Sequence, residues 1–580
     1  MSILGINDSA NSGATLFHKG NAKSAVNEER FTGLKNDVGF PTNSINYLQE
    51  GLDNEIEAVA LGWIGGNALV SRIFPSWDVK RRKQWRREIP KPSRISMHFS
   101  NFIYRITQNQ NPKLLWKSIG TAISRDMTRK RLKSISSDLS SKKIYVVEHH
   151  LAHAASAYYP SGFKEALIVT LDGAGDGLSG TISIGDKGEI KRLAEFKASS
   201  SIGILYGAAT LACDMRYNED EGKLMSLAAY SYPVSIPQLK DFCYYDRSRK
   251  MLISKIKTRN EILLSEYLKD HILSNYDRES FAYAMQKHVE DQVIAIIKQW
   301  VEETKIHNVA LAGGFFSNVK TNMLIEHLPE VKNTFIFPNM GDGGLSFGSA
   351  AYVDFVLNGS FSGKQVQDMY LGPSYSDSQI EDELKLSKKS GNIEYEPISN
   401  PAEYAADIIA EDNKIVLWFQ GRMEYGPRAL GNRSVLALPM FEENRNILNI
   451  IIKKRPYYQP FASTILDEVA PSLLSDYVYP NRFMTSANTV RDEHFKDLIA
   501  ASHIDKTTRP QILENENPLY KRLIKRVGKK TGIYAVLNTS LNKHGKPIVL
   551  SPKDALWTLE NTGADTLVIG NFIAYKKHKK

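Results

Sequence analysis

The chain opens on two apolar runs, SILGI and GATLF, separated by the polar turn NDSANS, and reverses at His18-Lys19-Gly20 into AKSAVNEER. The same plan recurs from Glu165: ALIVTL leads into Asp172 and GAGDGLSG, TISIG follows, and Asp186-Lys187-Gly188 turns into EIKRLAEF. Short apolar runs bounded by Gly, Asn, Asp and Ser predict β-hairpins. A hairpin repeated about one subdomain later predicts two related α/β lobes, each presenting a turn to a nucleotide between them, although two ordinary hairpins satisfy the pattern as well. Further on, Phe281, Met285, Val289, Val293 and Ile296 fall on one side of a helix predicted over residues 279–305. Two strand-to-helix turns follow: VALAGGFFSNVKTN, with Gly313, Gly314 and Asn318, and FIFPNMGDGGLSFGSAA, with Asp342, Gly343 and Gly344. Bare backbone at such turns lets a nucleotide approach, but tight packing alone asks for the same glycines. Turn signals crowd residues 358–400 and place a domain boundary there; AADIIA and KIVLWFQ then start a second α/β unit.

At 580 residues the chain exceeds one hydrophobic core, which predicts two to four domains. No apolar run is long enough to cross a bilayer. The start, MSILGINDSA, lacks the basic and apolar regions of a secretory signal, so a cytoplasmic protein is expected. Cys213 and Cys243 are too few for a disulfide framework or a cysteine zinc site, which leaves His, Asp and Glu as metal ligands. The net charge of +10 is concentrated: residues 71–143 carry 19 Lys/Arg against four acids, while the remainder is slightly acidic. KRRKQWRR (Lys80 to Arg87) and RKRLK (Arg129 to Lys133) alternate there with Trp77, Trp85, Phe102, Tyr104 and Trp116. Cations with aromatic platforms suit a nucleic acid; a solvated insertion has the same composition.

Candidate chemistry sits in three stretches. In YVVEHHLAHAASAY (Tyr145 to Tyr158), His149 and His153 are four apart, so a helix would raise both from one face toward a shared metal ion. Asp342 offers a third ligand; histidines capping a surface helix are the plainer alternative. In GRMEYGPRALGNRS, Arg422, Arg428 and Arg433 crowd a tight backbone with Glu424, an arrangement that favours a polyanion. Lys453, Lys454 and Arg455 add charge nearby in sequence, and Asn538, Thr539, Ser540 and Asn542 end a strand in a polar rim. Together these predict a second, anion-binding pocket.

Across nearly its whole length the sequence resembles the NodU/TobZ-type O-carbamoyltransferases. The resemblance is carried by VNEERFTGLKNDVGFP, EHHLAHAASAYYPSGF, the Asp172 turn, NEDEGKLMSLAAY, LAGGFFSNVKTN, GDGGLSFGSAA, GRMEYGPRALGNRS, KKRPYYQPFAST and LNTSLNKHGKPIV. It implies an α/β enzyme: a duplicated actin/Hsp70-like (ASKHA) domain over residues 1–360 with a basic insertion at 71–143, a linker and start of the second domain at 361–400, and a YrdC-like domain at 401–580. The second domain would form carbamoyl adenylate from carbamoyl phosphate and ATP with Mg2+, and the first would pass the carbamoyl group to an acceptor hydroxyl. By motif, His149, His153 and Asp342 would hold Fe2+ or another divalent metal. Asp172 would contact the carbamoyl group or the acceptor. Gly313, Gly314, Asn318, Gly343 and Gly344 would line the nucleotide, Lys453, Arg455, Ser540 and Asn542 would bind ATP and carbamoyl phosphate, and Arg422, Arg428 and Arg433 would neutralise phosphates.

One position departs from the family. Where its members carry a histidine in the first hairpin turn, this chain has Ala10, which leaves Asp8 or Asp172 as the base and implies slow transfer. The basic insertion extends the expected acceptor to a hydroxymethylated nucleotide or phage-type DNA. The alternatives are a sugar or natural-product hydroxyl, a transfer-inactive nucleotide- or nucleic-acid-binding variant, and tRNA threonylcarbamoylation, which GRMEYGPRALGNRS opposes. The sequence leaves the oligomeric state open.

Overall fold

The structure, a computed structural model, describes residues 2–50, 55–65, 72, 75–93, 95–97, 115–256, 260–359, 361, 363–389, 391–478 and 480–577, with backbone alone at 75, 77, 78 and 115–117. Its contacts divide the chain into two units. The first comprises residues 1–29 and 36–366; the second comprises 30–35 and 367–580.

In the first unit, the opening apolar runs are Ser2–Asn7 (β1) and Gly13–His18 (β2), which pair antiparallel from Ser2 opposite His18 to Asn7 opposite Gly13. Asn21–Asn27 (β3) completes the meander, and Ile56–Leu61 (β4) and Lys143–Val146 (β5) extend the sheet in parallel beyond β1, giving the order β3-β2-β1-β4-β5. Every residue of β1 is buried, which explains its unbroken apolar run. The plan repeats. Glu165–Gly175 (β6), Leu178–Asp186 (β7) and Glu189–Lys197 (β8) form a second meander, and a small hairpin, Tyr244–Asp246 (β9) and Met251–Ile253 (β10), follows. Asn308–Ala312 (β11) and Asn333–Ile336 (β12) then add in parallel beyond β6, so the order is β12-β11-β6-β7-β8. The hairpin repeat seen in the sequence is therefore a repeat of a whole five-stranded sheet, the duplicated actin/Hsp70-like arrangement.

Two helices cross at the heart of this unit, His149–Tyr158 and Leu345–Asn358. They approach so closely that a Cβ on Gly348 would lie 1.9 Å from the Ala152 carbonyl oxygen. The long helix expected near 279–305 spans Arg278–Thr304 and buries Phe281, Met285, Val289, Val293 and Ile296.

The basic insertion contains the helices Pro75–Trp85 and Leu115–Lys133. Several of its cations are paired inside the unit. Arg81 donates from two nitrogens to Glu261 (3.2 and 3.3 Å), Trp85 Nε1 donates to the same carboxylate (2.6 Å), Arg86 pairs with Glu219 (2.5 Å) and Arg87 with Asp214 (3.0 Å). Phe102 and Tyr104, and the side chains of Trp77 and Trp116, lie outside the described residues.

The second unit is one mixed sheet. Its strands are Ile393–Pro397 (β13), Val416–Phe419 (β14), Arg433–Ala437 (β15), Ala462–Leu466 (β16), Pro510–Leu513 (β19), Ala535–Ser540 (β20), Thr566–Ile569 (β21) and Phe572–Lys576 (β22); the two-residue strands Asn488–Thr489 (β17) and Thr507–Thr508 (β18) pair separately. The order is β13-β22-β21-β14-β15-β20-β16-β19. Along β14, Val416 and Trp418 face helices Pro401–Asp412 and Pro518–Thr531, while Leu417 and Phe419 face Asp377–Lys389 and Pro552–Asn561. Burial on both faces explains why IVLWF carries no polar residue. The stretch 361–400 contributes the Asp377–Lys389 helix and β13, so from Gln367 it belongs to the second unit. No described helix in either unit is long and apolar enough to cross a membrane.

Gly348→Ala is expected to push the His149–Tyr158 helix away from its partner, at a cost of about 1–3 kcal/mol for overpacking. A lowered thermal midpoint with weakened metal binding checks it.

Candidate metal centre and anion pocket

In the first unit, β5 delivers the chain to Glu148, whose carboxylate caps the next helix by accepting from Leu151 N (2.8 Å). The i, i+4 spacing then sets His149 and His153 on one face, their rings 4.6 Å apart and both fully buried. Asp342, in the turn before Leu345–Asn358, brings Oδ1 to 3.5 Å from His153 Nε2 and 3.8 Å from His149 Nε2. Asp172, on β6, places Oδ2 3.3 Å from His149 Nε2 and accepts from Gly314 N at its other oxygen (2.8 Å). One ligand atom from each of the four lies within 4.8 Å of all the others.

Bonds of about 2.1 Å to one ion hold neighbouring ligand atoms roughly 3.0–3.5 Å apart, which is close to this spacing. His153 Nε2 and Asp342 Oδ1 are buried without a hydrogen-bond partner, as ligand atoms facing a shared ion would be. The residues therefore fit a divalent cation. Burial alone would lower the His149 imidazole, but Asp172 and Asp342 outweigh it and lift it to about 9. Burial would raise Asp172, yet its bond to His149 and the nearby imidazoles hold it below the usual carboxylate range. His150 turns away to Thr170 Oγ1 (2.9 Å), and burial presses it down to about 3.

Asp176, missed in the sequence, fixes this geometry. In a left-handed turn at φ 46°, its carboxylate accepts from Gly65 N (2.8 Å), Ile64 N (3.1 Å) and His149 N (2.9 Å). Trp63, just before that turn, packs its ring 4.2 Å from the His149 ring. Gly175 leaves room for the imidazole, since a Cβ there would fall 2.1 Å from a ring carbon.

The other expected residues of this unit have structural tasks as well. Both oxygens of Asp8 accept from buried Arg72 (2.8 and 2.7 Å), whose guanidinium also reaches Ser124 Oγ (2.5 Å). Asp8 stands outside the four-residue cluster. Ala10 lies in the turn after β1, where Asn7 Nδ2 donates to the carbonyls of Ala10 (2.8 Å), Asn11 (3.2 Å) and Asp342 (2.8 Å). The turn bearing position 10 is thus tied to the turn bearing Asp342. Gly313 adopts φ 106° against the Leu171 carbonyl, and Asn27 Nδ2 donates to Gly343 O (3.3 Å). Gly344 N donates to Gly341 O (2.9 Å). Asn318 caps Val319–Glu326 through Thr321 N (3.1 Å) and exchanges bonds with Gln286.

In the second unit, one oxygen of Glu424 accepts from Leu430 N (2.8 Å), Asn432 N (2.8 Å) and Arg433 N (3.1 Å), winding residues 424–433 around it. Arg422 donates to the Leu371 and Gly372 carbonyls (2.7 and 3.2 Å), and Arg433 donates to those of Gln420, Asn432, Pro373 and Gly421 while lying 3.7 Å above the Phe419 ring. Both hold the loop by its carbonyls. Arg428 shows none of these carbonyl bonds; burial lowers both it and Arg433 to about 10, and the Nε of each is without a partner. Lys453, 3% exposed, reaches the Ser540 carbonyl, Asn542 Oδ1 (2.6 Å) and Asn542 O (3.0 Å). Arg455 bonds Asn449 Oδ1 (2.7 Å) and lies over Phe461, lowered by burial to about 9. Arg509, absent from the sequence reading, is pushed well below its ordinary value by burial and by Arg428 and Arg455. Arg428, Lys453, Arg455 and Arg509 pair with no carboxylate among the described residues. Buried cations without a carboxylate partner mark a candidate anion site.

Fold and sites define a two-unit α/β protein with a candidate His/Asp metal centre on a duplicated actin/Hsp70-like unit and buried cations beside a mixed sheet. Family models described as Carbamoyltransferase N-terminus and Carbamoyltransferase C-terminus match residues 2–351 and 406–576. The chain belongs to the carbamoyltransferase family and is a transferase. It is 33% identical to an uncharacterized protein of Methanocaldococcus jannaschii, over 88% of this chain and 87% of that one. It is 32% identical to the nodulation protein NolNO of Sinorhizobium fredii, over 97% and 78%. Similarity extends to the 3'-hydroxymethylcephem-O-carbamoyltransferase of Amycolatopsis lactamdurans, at 26% identity over 61% and 64%.

His153→Ala is expected to abolish tight divalent-metal binding, and Asp176→Ala, which leaves three amides without their acceptor, to weaken it by about 10- to 100-fold. Titration with Fe(II), Mn(II) or Zn(II), followed by desalting and metal analysis, checks both.

Proposed function

We propose that this chain is an ATP-dependent O-carbamoyltransferase that activates the carbamoyl group in the second unit and delivers it to an alcohol at the first. The observation that carries this reading is the set of unpaired cations around Lys453, in a chain whose other unit holds the four-residue metal centre. Arg428, Lys453, Arg455 and Arg509 match the charge of carbamoyl phosphate and the ATP triphosphate with Mg2+, and Ser540 and Asn542 orient the Lys453 ammonium. Carbamoyl phosphate loses inorganic phosphate to water, a carbamate oxygen attacks the α-phosphorus of ATP, and pyrophosphate leaves. The acceptor oxygen then attacks the carbamoyl carbon, AMP departs, and the hydroxyl proton passes to a base. Guanidiniums aimed at phosphate oxygens stabilise the charge that develops at the first step.

His149, His153 and Asp342, with Asp172 beside them, would hold the metal, for which iron(II) suits a mixed imidazole and carboxylate set. When bound it supplies Lewis-acid polarisation of a carbonyl or phosphoryl oxygen. The Gly313-Gly314 and Gly343-Gly344 turns bring bare backbone beside Asp172 and Asp342, where the carbamoyl adenylate would lie.

For the acceptor, a small-molecule hydroxyl is the better supported class. The relative named above acts on a hydroxymethyl group of a cephem. The basic stretch that suggested DNA or a hydroxymethylated nucleotide pairs Arg81, Arg86 and Arg87 with Glu261, Glu219 and Asp214, which lowers their net pull on a phosphate backbone. Both carboxylates expected as the base are engaged by other groups. Asp8 is bound at both oxygens by Arg72, and Asp172 is bound at one oxygen by His149 and at the other by Gly314.

With ATP, carbamoyl phosphate and Mg2+, the protein is expected to release pyrophosphate while transferring carbamoyl slowly. Ala10→His is expected to accelerate transfer by about 10²-fold or more, the usual scale for a positioned base. Product mass on a sugar and natural-product panel, with hydroxymethylated DNA and its free nucleotide alongside, reads the acceptor. Rapid transfer by the Ala10 protein would contradict the assignment of position 10, and a carbamoyl gain on DNA would overturn the small-molecule class.

A further inference from the structure

Six residues from the beginning of the chain, Arg30–Lys35, belong to the second unit. Arg30 donates to the carbonyl of Gly426 (2.7 Å, buried), two residues before Arg428. Phe31 packs against the buried cluster of Met423, Ala429, Ile548 and Leu550, and Ala429 directly follows Arg428. The Arg428 segment is therefore gripped on both sides from outside the loop, while Glu424 holds the loop from within. Lys35 adds its positive field to that of Arg455 at the Lys453 ammonium.

The ends of this strap are fixed in the first unit. Asn36 N donates to Glu29 Oε2 (2.6 Å), which closes its base, and Glu28 accepts from Asn43 N, Ser44 N and Ser44 Oγ (2.9, 2.8 and 2.6 Å). Just beyond, Ser12 N donates to Asp37 O (3.0 Å), Glu28 N donates to Ser12 O (2.9 Å), and Val38 bridges to Ala10. The strap is rooted in the turn that carries position 10.

We propose that Arg30–Lys35 is a working part of the donor pocket, with Arg30 and Phe31 as positioning residues that set the Arg428 loop for carbamoyl phosphate. This rests on the donor chemistry proposed above. The carbamoyl-activating step then depends on residues supplied from the N-terminal half of the chain.

The test uses the full chain and four variants: Arg30→Ala, Arg30→Lys, Phe31→Ala and Phe31→Leu. Pyrophosphate release is followed against carbamoyl phosphate at saturating ATP and Mg2+, with carbamoyl phosphate binding measured by calorimetry on the same proteins. Arg30→Ala and Phe31→Ala are expected to raise the KM for carbamoyl phosphate about tenfold, the scale of one lost charge-assisted hydrogen bond, with kcat changed far less. Arg30→Lys and Phe31→Leu are expected to restore most of the loss, with circular dichroism and metal binding unchanged throughout. A merely structural strap would lower the folded fraction and leave KM in place. Equal KM and equal affinity in the wild type and both alanine variants would overturn the inference. A wild type that binds carbamoyl phosphate but releases no pyrophosphate overturns the donor chemistry, and the calorimetric comparison then decides the strap on its own. A wild type that does not bind carbamoyl phosphate overturns both.

Discussion

Buried carboxylates that accept from several backbone amides are the interaction on which both sites depend. A carboxylate oxygen that gathers two or three N–H groups fixes the path of a loop without needing a helix or strand around it. Asp176 does this for the Trp63–Gly65 turn and the start of the His149 helix. Glu424 does it for the loop that presents Arg428. Glu28 does the same at the start of the helix Thr42–Glu50, beside the root of the strap. In each case the functional group belongs to a neighbour of the carboxylate, and the carboxylate supplies position.

The two sites solve the problem of buried charge in opposite ways. At the metal centre, Asp172 and Asp342 stand against His149 and His153, each carboxylate within 4 Å of an imidazole nitrogen. Around Lys453 the charges share one sign and depress one another. Isolated buried cations are costly, and four together are more so, unless an anion repays the desolvation. The first site leaves His153 Nε2 and Asp342 Oδ1 for an ion, and the second leaves its cations for an anion. Carbonyl oxygens prepare it: those of Ser540, Asn542 and Pro460 orient the Lys453 ammonium and the Arg455 guanidinium without neutralising them.

Much of this was legible in the sequence because it follows local rules. The period of four residues placed His149 and His153 together, and glycine beside a carboxylate marked Asp342. The recurrence of strand, polar turn and strand foretold the duplicated sheet. What escaped was set by tertiary packing. Asp176 lies four residues from Asp172 in a turn that reads as an ordinary tight reversal, and nothing local says that its carboxylate collects the amides of residues 64, 65 and 149. Arg509 precedes a proline at the start of β19, far in sequence from the arginines whose field it shares. The three arginines of GRMEYGPRALGNRS looked equivalent, yet Arg422 and Arg433 anchor carbonyls while Arg428 shows no such bond. The basic run at Lys80–Arg87 could not reveal its carboxylate partners, because they lie more than 120 residues away.

The surroundings of position 10 show why an alanine there leaves the fold intact. The turn is shaped by backbone and by Asn7, whose amide ties the carbonyls of residues 10, 11 and 342, and by the Ala10–Val38 bridge. None of these contacts uses the side chain of residue 10. A histidine at this point would therefore contribute chemistry and little stability, so its absence can persist without a compensating change in the residues that hold Asp342 or His153. The same separation runs through the centre as a whole. The groups that would hold the ion, the groups that hold those groups, and the position that would move the proton are different residues, and each can be altered with its own consequence for binding, structure or rate.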